Sequence, residues 1–250
     1  NKRKKRRAQS LNKKLLKQTE SIPMGDFIIT NNYQFDSIPD QQMVIHAIDS
    51  RIWLMANEDK ELKQALLQSD ILVPNGAGIT LAARWLTGKQ IHNVSRDDLH
   101  LSILQHLDKV AGSVFYLGAS DRTLALIAER ILTEYPNIRV KTYSPPYRDS
   151  FSEEETNKMI TAINEFKPDV LFIGMSVSKQ EKWIATNRHL LHTHLISGIG
   201  AVFGFYGGTT SYPPQWRKQQ SLSAIKILIT ALQIKNRKKS LKTSTEYETN

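Results

Sequence analysis

Three glycine-bearing turns stand where β-rich runs give way to helical patterns, and each carries groups suited to a phosphate or a sugar. The first is Pro74-Asn75-Gly76-Ala77-Gly78, which leaves the apolar run 71–73. Gly76 and Gly78 permit close backbone approach, and the helix start behind them offers unpaired N–H groups to an anion or a hydroxyl. The same composition also serves a plain strand-to-helix reversal, for which Asn and Gly are sterically suited. The second is Gly174-Met175-Ser176-Val177-Ser178-Lys179-Gln180-Glu181, after the apolar run 170–173. Ser178 and Glu181 have capping-box spacing, so Lys179 and Gln180 are either solvated in an ordinary first turn or converge on a phosphate at a strand's carboxyl end. Gly118-Ala119-Ser120 is the third. Three such turns in one sheet would line one crevice. None fits a dinucleotide fingerprint or a Walker loop, because Val202-Phe203 follow Gly198-x-Gly200 where a third glycine is needed. No acidic cluster has cation-ligand spacing, so no metal site is expected.

Positioning these turns requires alternating strands and helices, and the sequence has that alternation from about residue 44. A helix opened by Asp59 ends at 64–67, and the short run 70–73 reads as a buried strand stopped by Pro74 and Gly76. Residues 79–87 are helical and end at Gly88. Residues 113–117 read as a strand, Ser120 or Asp121 caps a helix to Tyr135, and 138–143 alternate as a further strand. Ser152 and Glu155 form a capping box for a helix to Phe166, and 170–173 have the all-apolar character of a strand covered on both faces. The pattern predicts one α/β domain, Rossmann-like, with a mainly parallel sheet flanked by helices and ligands at the strands' carboxyl ends. Beyond Leu195 glycines crowd together (Gly198, Gly200, Gly204, Gly207, Gly208), and Leu222, Ile225, Leu228, Ile229 and Leu232 recur at helical spacing beside Lys226 and Lys235. This reads as a C-terminal amphipathic helical appendage. The expected organisation is a basic disordered tail over 1–20, the α/β domain over 21–211, a basic appendage over 212–242 and a disordered tail over 243–250.

The charge is distributed to match. The 250 residues carry 34 Lys and Arg against 24 Asp and Glu, a formal +10. Nine of the basic residues fall in 1–17 and eight in 217–242, with no acid in either stretch, so the rest of the chain is formally −7. Basic ends flanking an acidic body suit a tether to an anionic lipid surface better than a nucleic-acid face, and the tails lack the interleaved aromatics that stack on bases. With no cysteine, disulfides, thiolate nucleophiles and Cys-based zinc sites are excluded. No apolar run reaches the roughly 18 residues of a membrane span. The basic N-terminus lacks the apolar stretch of a secretory signal, and the absence of an initiator Met suits a sequence that begins inside a longer chain.

The order and wording of the turns resemble the WecG/TagA/CpsF family of bacterial glycosyltransferases over about residues 44–235. The matching residues are Ala56-Asn-Glu-Asp-Lys-Glu-Leu62, Asp70-Ile-Leu-Val-Pro-Asn-Gly-Ala-Gly78, Ala82-Ala83-Arg84, Val114-Phe-Tyr-Leu-Gly118, Pro168-Asp-Val170, Lys179-Gln-Glu181 with Trp183, and Gly198-x-Gly-Ala201 with Phe203. The resemblance implies inverting, metal-independent transfer of a hexosamine-type sugar from a UDP donor to a polyprenyl-diphosphate-linked acceptor. The setting it implies is teichoic acid or other surface-polysaccharide assembly. No cofactor is implied beyond the UDP-sugar substrate. The expected location is cytoplasmic and peripheral on the inner face of the bacterial membrane, with Arg217, Lys218, Lys226 and Lys235 meeting anionic lipid. A homo-oligomer or a partner in an enzyme complex would suit the same setting, and nucleic acid is not an expected partner.

Several family positions are substituted. The family turn carries Asp, the base for the acceptor hydroxyl, where Asn75 stands. The upstream Thr-x-Asn segment becomes Ala47-Ile48-Asp49, and Asn93 replaces an Arg. The following Gly-x-Asp stretch becomes Arg96-Asp97-Asp98. An amide cannot take a proton at neutral pH, so the base falls to Asp49, Asp97 or Asp98; His46 and His92 are close in sequence, but a lone His is more often structural. The candidate catalytic set is therefore Asn75, Asp98, Asp49 and Gln180. The candidate UDP and substrate set is Gly76, Gly78, Gly118, Ser120, Gly174, Lys179, Gln180, Glu181, Gly198 and Gly200. The alternative function is a catalytically degenerate family member that serves as a non-enzymatic partner subunit.

Overall fold

The computed structural model describes residues 19–211 and 225–233. The strands are β1 (Glu20–Met24), β2 (Phe27–Asn31), β3 (Met43–Ile48), β4 (Ile71–Pro74), β5 (Ser113–Gly118), β6 (Arg139–Tyr143), β7 (Val170–Gly174) and β8 (Leu195–Gly198). The helices are α1 (Ser50–Glu58), α2 (Lys60–Leu67), α3 (Ala77–Thr87), α4 (Arg96–Val110), α5 (Asp121–Glu134), α6 (Glu153–Phe166), α7 (Lys179–Asn187) and the short α8 (Val202–Tyr206). Six strands form one parallel sheet in the order β4-β3-β8-β7-β5-β6. The expected α/β class with a parallel sheet flanked by helices is the architecture found.

Period-two alternation in the strands decides which side chains face which helical layer. Val114 and Tyr116 of β5 join Phe172 of β7 in a core with α4, α5 and α8. Phe115 and Leu117 join Leu171 and Ile173 on the opposite face with α6 and α7. Both faces being covered, these strands read as continuous apolar runs in the sequence.

The helix ends follow local chemistry. Ser152 and Glu155 form the expected capping box of α6, and Ser120 caps α5 by accepting from the Thr123 N–H. Gly88 closes α3 at φ 71°, a conformation open to glycine without a Cβ penalty. Helix α3 begins at Ala77, two residues before the expected start, because Gly76, at φ 89°, already turns the chain into it.

Helices α1 and α4 and an N-terminal hairpin were not singled out in the sequence. β1 and β2 pair antiparallel through a two-residue turn in which Gly25 holds φ 69°. Ile22, Met24, Phe27 and Ile29 face inward against Trp53 of α1 and the apolar side of α3. Gly25-Asp26 between alternating apolar residues was the available signal.

Of the expected C-terminal appendage, only 225–233 falls within the described residues, and it is helical. Ile227 and Ala231 are buried in the cluster with Ile52 and Trp53, while Ile225, Ile229 and Leu232 are exposed. Arg217, Lys218 and Lys235, residues 1–18 of the expected 1–20 tail, and the expected tail over 243–250 lie outside the described residues, while Glu20 already belongs to β1.

Candidate active site

A cleft of about 1000 Å³ opens over the carboxyl ends of the sheet. Every strand of the sheet except the edge strand β6 delivers residues to it: Asp49 after β3, Asn75 and Gly76 after β4, Ala119 after β5, Gly174 to Val177 around the end of β7, and Ile199 to Ala201 after β8. This is where a parallel α/β sheet presents open backbone and helix starts to a ligand.

The β3–β4 side is charged. Asp49 caps α1: its Oδ1 accepts from the Ile52 N–H at 2.9 Å. Its Oδ2 meets Arg96, whose Nη2 lies 3.2 Å away and also donates to the Ala47 carbonyl at 2.9 Å. Beside this pair, the β4 turn is held by backbone bonds, with Asn75 N–H donating to the Ile48 carbonyl at 2.9 Å. The Gly76 N–H donates to the Asn93 side-chain oxygen. Asn75 is half-buried at the cleft wall. Arg51, Glu58 and Lys226 line the same flank, next to the apolar Leu54, Met55 and Val177.

The β5–β7–β8 side is uncharged and tightly packed. Gly118 and Gly174 are register partners on β5 and β7. A Cβ on Gly118 would lie 2.4 Å from the Gly174 carbonyl oxygen, and one on Gly174 would lie 2.5 Å from the Phe203 ring. These glycines thus serve packing as much as ligand access. Nearby, hydroxyls form a chain: Ser120 Oγ to Thr123 Oγ1 at 3.1 Å, then Thr123 Oγ1 to Thr209 Oγ1 at 3.2 Å. Thr123, Thr209 and Thr210 line the cleft.

Gln180 lies at the floor, only 2% exposed, and donates from Nε2 to Glu181 Oε1 at 2.8 Å. Glu181, equally buried, uses its other oxygen to accept from the Ser178 N–H at 2.8 Å, which realises the expected cap of α7. Ser178 holds φ 77°, a left-handed conformation that a non-glycine residue adopts only when its surroundings enforce it. Asp59, bound by Ser178 Oγ at 3.2 Å and Lys182 Nζ at 2.7 Å, supplies part of that enforcement. Gly198 lets Gln180 lie down: a Cβ there would sit 2.9 Å from Gln180 Nε2 and 3.1 Å from His46 Cε1. Burial pushes the His46 imidazole below its usual pKa, and its Nδ1 has no partner. A neutral ring in the strand supports the structural role expected for it.

The sheet thus brings together Asn75, Asp49, Gln180, Gly76, Gly78, Gly174 and Gly200. Asp98, Gly118, Ser120, Lys179, Glu181 and Gly198 do not line the cleft. Asp98 is exposed in the first turn of α4, where it complements the helix dipole. Lys179 turns outward, its ammonium 3.6 Å from the centre of the Phe151 ring and bonded to the Arg148 carbonyl, and burial lowers its pKa. Of the four expected lipid contacts, Lys226 is the one among the described residues, and it is exposed at the cleft edge. The cations Arg51 and Arg96 and the threonines at 123, 209 and 210 were not singled out as ligand groups. No spacing links them, because only the sheet makes them neighbours. Among the described residues no three His, Asp or Glu side chains cluster as metal ligands.

Comparison with known proteins agrees with this geometry. Residues 30–225 match the model of the glycosyl transferase WecG/TagA/CpsF family. An N-acetylglucosaminyldiphosphoundecaprenol N-acetyl-beta-D-mannosaminyltransferase of Bacillus subtilis is 26% identical over 208 residues, covering 80% of this chain and 78% of its own. Proteins of the same name from Bacillus spizizenii (25% over 162 residues) and Staphylococcus aureus (26% over 147 residues) align with 64% and 59% of this chain. Those alignments span 61% and 56% of the relatives' own lengths.

Proposed function

The chain belongs to the WecG/TagA/CpsF family of glycosyl transferases, and we propose that it moves an N-acetylmannosamine-type sugar from a UDP donor to a polyprenyl-diphosphate-linked acceptor in teichoic acid or related surface-polymer assembly. The observation that carries this reading is the division of the cleft. A half-buried carboxylate paired with a guanidinium stands on one side, and a floor of glycines, Gln180 and hydroxyls stands on the other.

The two sides suit the two halves of the chemistry. The uncharged side, with Thr123, Thr209 and Thr210, offers neutral donors and acceptors to the uridine of the donor. Its diphosphate would lie across the turns at Gly174–Ser176 and Gly200, where backbone approach is close. Positive charge for the departing UDP would come from Arg51 and Lys226 at the cleft wall. The acceptor hydroxyl gives its proton to Asp49 while its oxygen bonds to the anomeric carbon. The bond from that carbon to the UDP oxygen breaks, and its electron pair leaves with UDP. Attack opposite the leaving group inverts the anomeric centre. Asn75 and Gln180 orient the reactants by hydrogen bonds, since neither amide can take a proton at neutral pH. We assign the base to Asp49 over Asp98 because Asp49 lines the cleft.

The acceptor class places the reaction at a membrane surface. No helix among the described residues is long and apolar enough to cross one. Peripheral docking is supported by Lys226 with the exposed Ile225, Ile229 and Leu232 on the helix over 225–233.

The test is UDP release from a panel of UDP-sugars with a short-chain polyprenyl-diphosphate-linked acceptor, with and without chelator. Turnover that survives chelation and falls about 10²–10⁴-fold in Asp49→Asn is the expected result. A folded chain that releases UDP from no donor would overturn the enzymatic reading in favour of a partner subunit.

A further inference from the structure

We infer that Arg96 is a positioning residue of the transfer: its guanidinium fixes the Asp49 carboxylate at the cleft wall, and the two side chains act as one unit. This rests on the assignment of Asp49 as the base.

Arg96 occupies the first position of α4, where the positive end of the helix dipole disfavours a cation. Its side chain nonetheless reaches back 47 residues in sequence to the end of β3. There a single nitrogen, Nη2, serves two acceptors: the Ala47 carbonyl at 2.9 Å and Asp49 Oδ2 at 3.2 Å. The carbonyl bond ties the guanidinium to the sheet, so its position does not depend on the carboxylate. Asp49 Oδ1 is held separately by the Ile52 N–H. Both oxygens are therefore oriented, while lone pairs remain on each for an incoming hydroxyl. The side chains are 18% and 29% exposed for Arg96 and Asp49, which limits solvent screening of the pair without sealing it from the cleft.

The neighbouring turn has no such unit. At the end of β4 the side chains are Asn75 and Asn93, both neutral, and Asn93 is engaged with the Gly76 N–H. Among the described cleft-lining residues the other carboxylate is Glu58, exposed at the far end of α1. Misplacement of a reacting group by about 1 Å can cost about 10²-fold in rate, so loss of the anchor should appear in turnover.

The test is steady-state UDP release by the full chain carrying Arg96→Met, Arg96→Lys, Asp49→Asn, or Arg96→Met with Asp49→Asn, with UDP affinity measured separately by calorimetry. For Arg96→Met, kcat should fall about 10²-fold while donor KM and UDP affinity stay within about threefold. Arg96→Lys, whose ammonium can donate to both acceptors, should recover at least about tenfold of that loss. The double variant should be no slower than Asp49→Asn alone.

If Arg96→Met keeps wild-type kcat while Asp49→Asn loses it, the inference fails and the base assignment stands. If Asp49→Asn keeps wild-type turnover, the base assignment itself fails. Weakened UDP binding at unchanged kcat would make Arg96 a diphosphate ligand instead, and additive losses in the double variant would refute the coupling. Should Arg96→Met melt early, Arg96→Gln, whose amide nitrogen stops two atoms short of Nη2, should show the same kcat loss in a chain of normal thermal stability.

Discussion

The two sides of the cleft are built by different means. On the β5–β7–β8 side, shape is set by van der Waals exclusion: Gly118 faces the Gly174 backbone, Gly174 faces Phe203, and Gly198 makes room for Gln180 and His46. On the β3–β4 side, shape is set by polar bonds: Asp49 to Ile52 and Arg96, Arg96 to Ala47, and Gly76 to Asn93. Close packing admits almost no exchange of residues, because an added methyl has nowhere to go. A hydrogen-bonded charge can be moved to another position if its partners move too. That difference suits the expectation from the resemblance, in which the glycine turns persist while charged positions become Asn75 and Asn93 and neutral ones become Asp49 and Arg96.

The largest effect outside turnover should come from a methyl group on the packed side. Gly118 combines φ 120° with a Cβ position 2.4 Å from a backbone oxygen, so neither a rotamer change nor a flexible side chain relieves the clash. Gly118→Ala should lower the unfolding free energy by about 3 kcal/mol or more, measured by urea denaturation. A loss below about 1 kcal/mol would show that this side yields, and would break the contrast.

A comparable effect should come from acid. His100 is fully buried beneath the packed side, its Nε2 2.6 Å from the Tyr116 hydroxyl and its ring edge-on to Phe172 and Tyr206. Burial pushes its pKa down to about 3. The unfolded chain therefore binds a proton near pH 6.5 that the folded chain refuses. Stability from this group is complete above pH 6.5 and declines as pH falls toward 3, by about 3 kcal/mol between pH 7 and pH 4. Burial lowers the His46 pKa as well, and it adds in the same direction. Denaturation at a series of pH values should show the slope, and His100→Gln should flatten it. An unchanged slope in that variant would place the sensitivity elsewhere.

The smallest effect should come from the polar side. The β4 turn is held by the Asn75 backbone and by Asn93, and among the described residues no bond needs the Asn75 amide. Asn75→Asp should fold normally and leave kcat unchanged or raise it by up to about tenfold, since a second carboxylate would become available. A fall of more than about tenfold would mean that the amide orients the acceptor in a way a carboxylate cannot, which would sharpen the division between the two sides.

Much of the scaffold was legible residue by residue. Ser120 and the Ser152–Glu155 pair announce helix starts because their bonds close within three residues. Gly88 marks a helix end for the same local reason. The hairpin β1–β2 was less visible, because its strands are five residues each and its apolar side is justified only by Trp53 and α3 beyond it. That Gln180 would lie at the cleft was readable from its place after a strand. Its burial against Gly198 and Glu181 was not. Lys179 looked equally suited to a phosphate, and a single helical step was enough to aim it at Phe151 instead.

By itself the sequence determined the alternation of strands and helices, the turns at which ligand groups could gather, and the absence of thiol chemistry, because periodicity, capping and composition act over a few residues. Only the tertiary structure decided which groups meet. Arg96 reaches Asp49 across 47 residues and Thr123 reaches Thr209 across 86. Such neighbours are chosen by strand order, with β3 beside β4 and β8, and β7 between β8 and β5. That order brings apolar residues from distant strands into shared clusters on each face of the sheet, so no local run of residues encodes it.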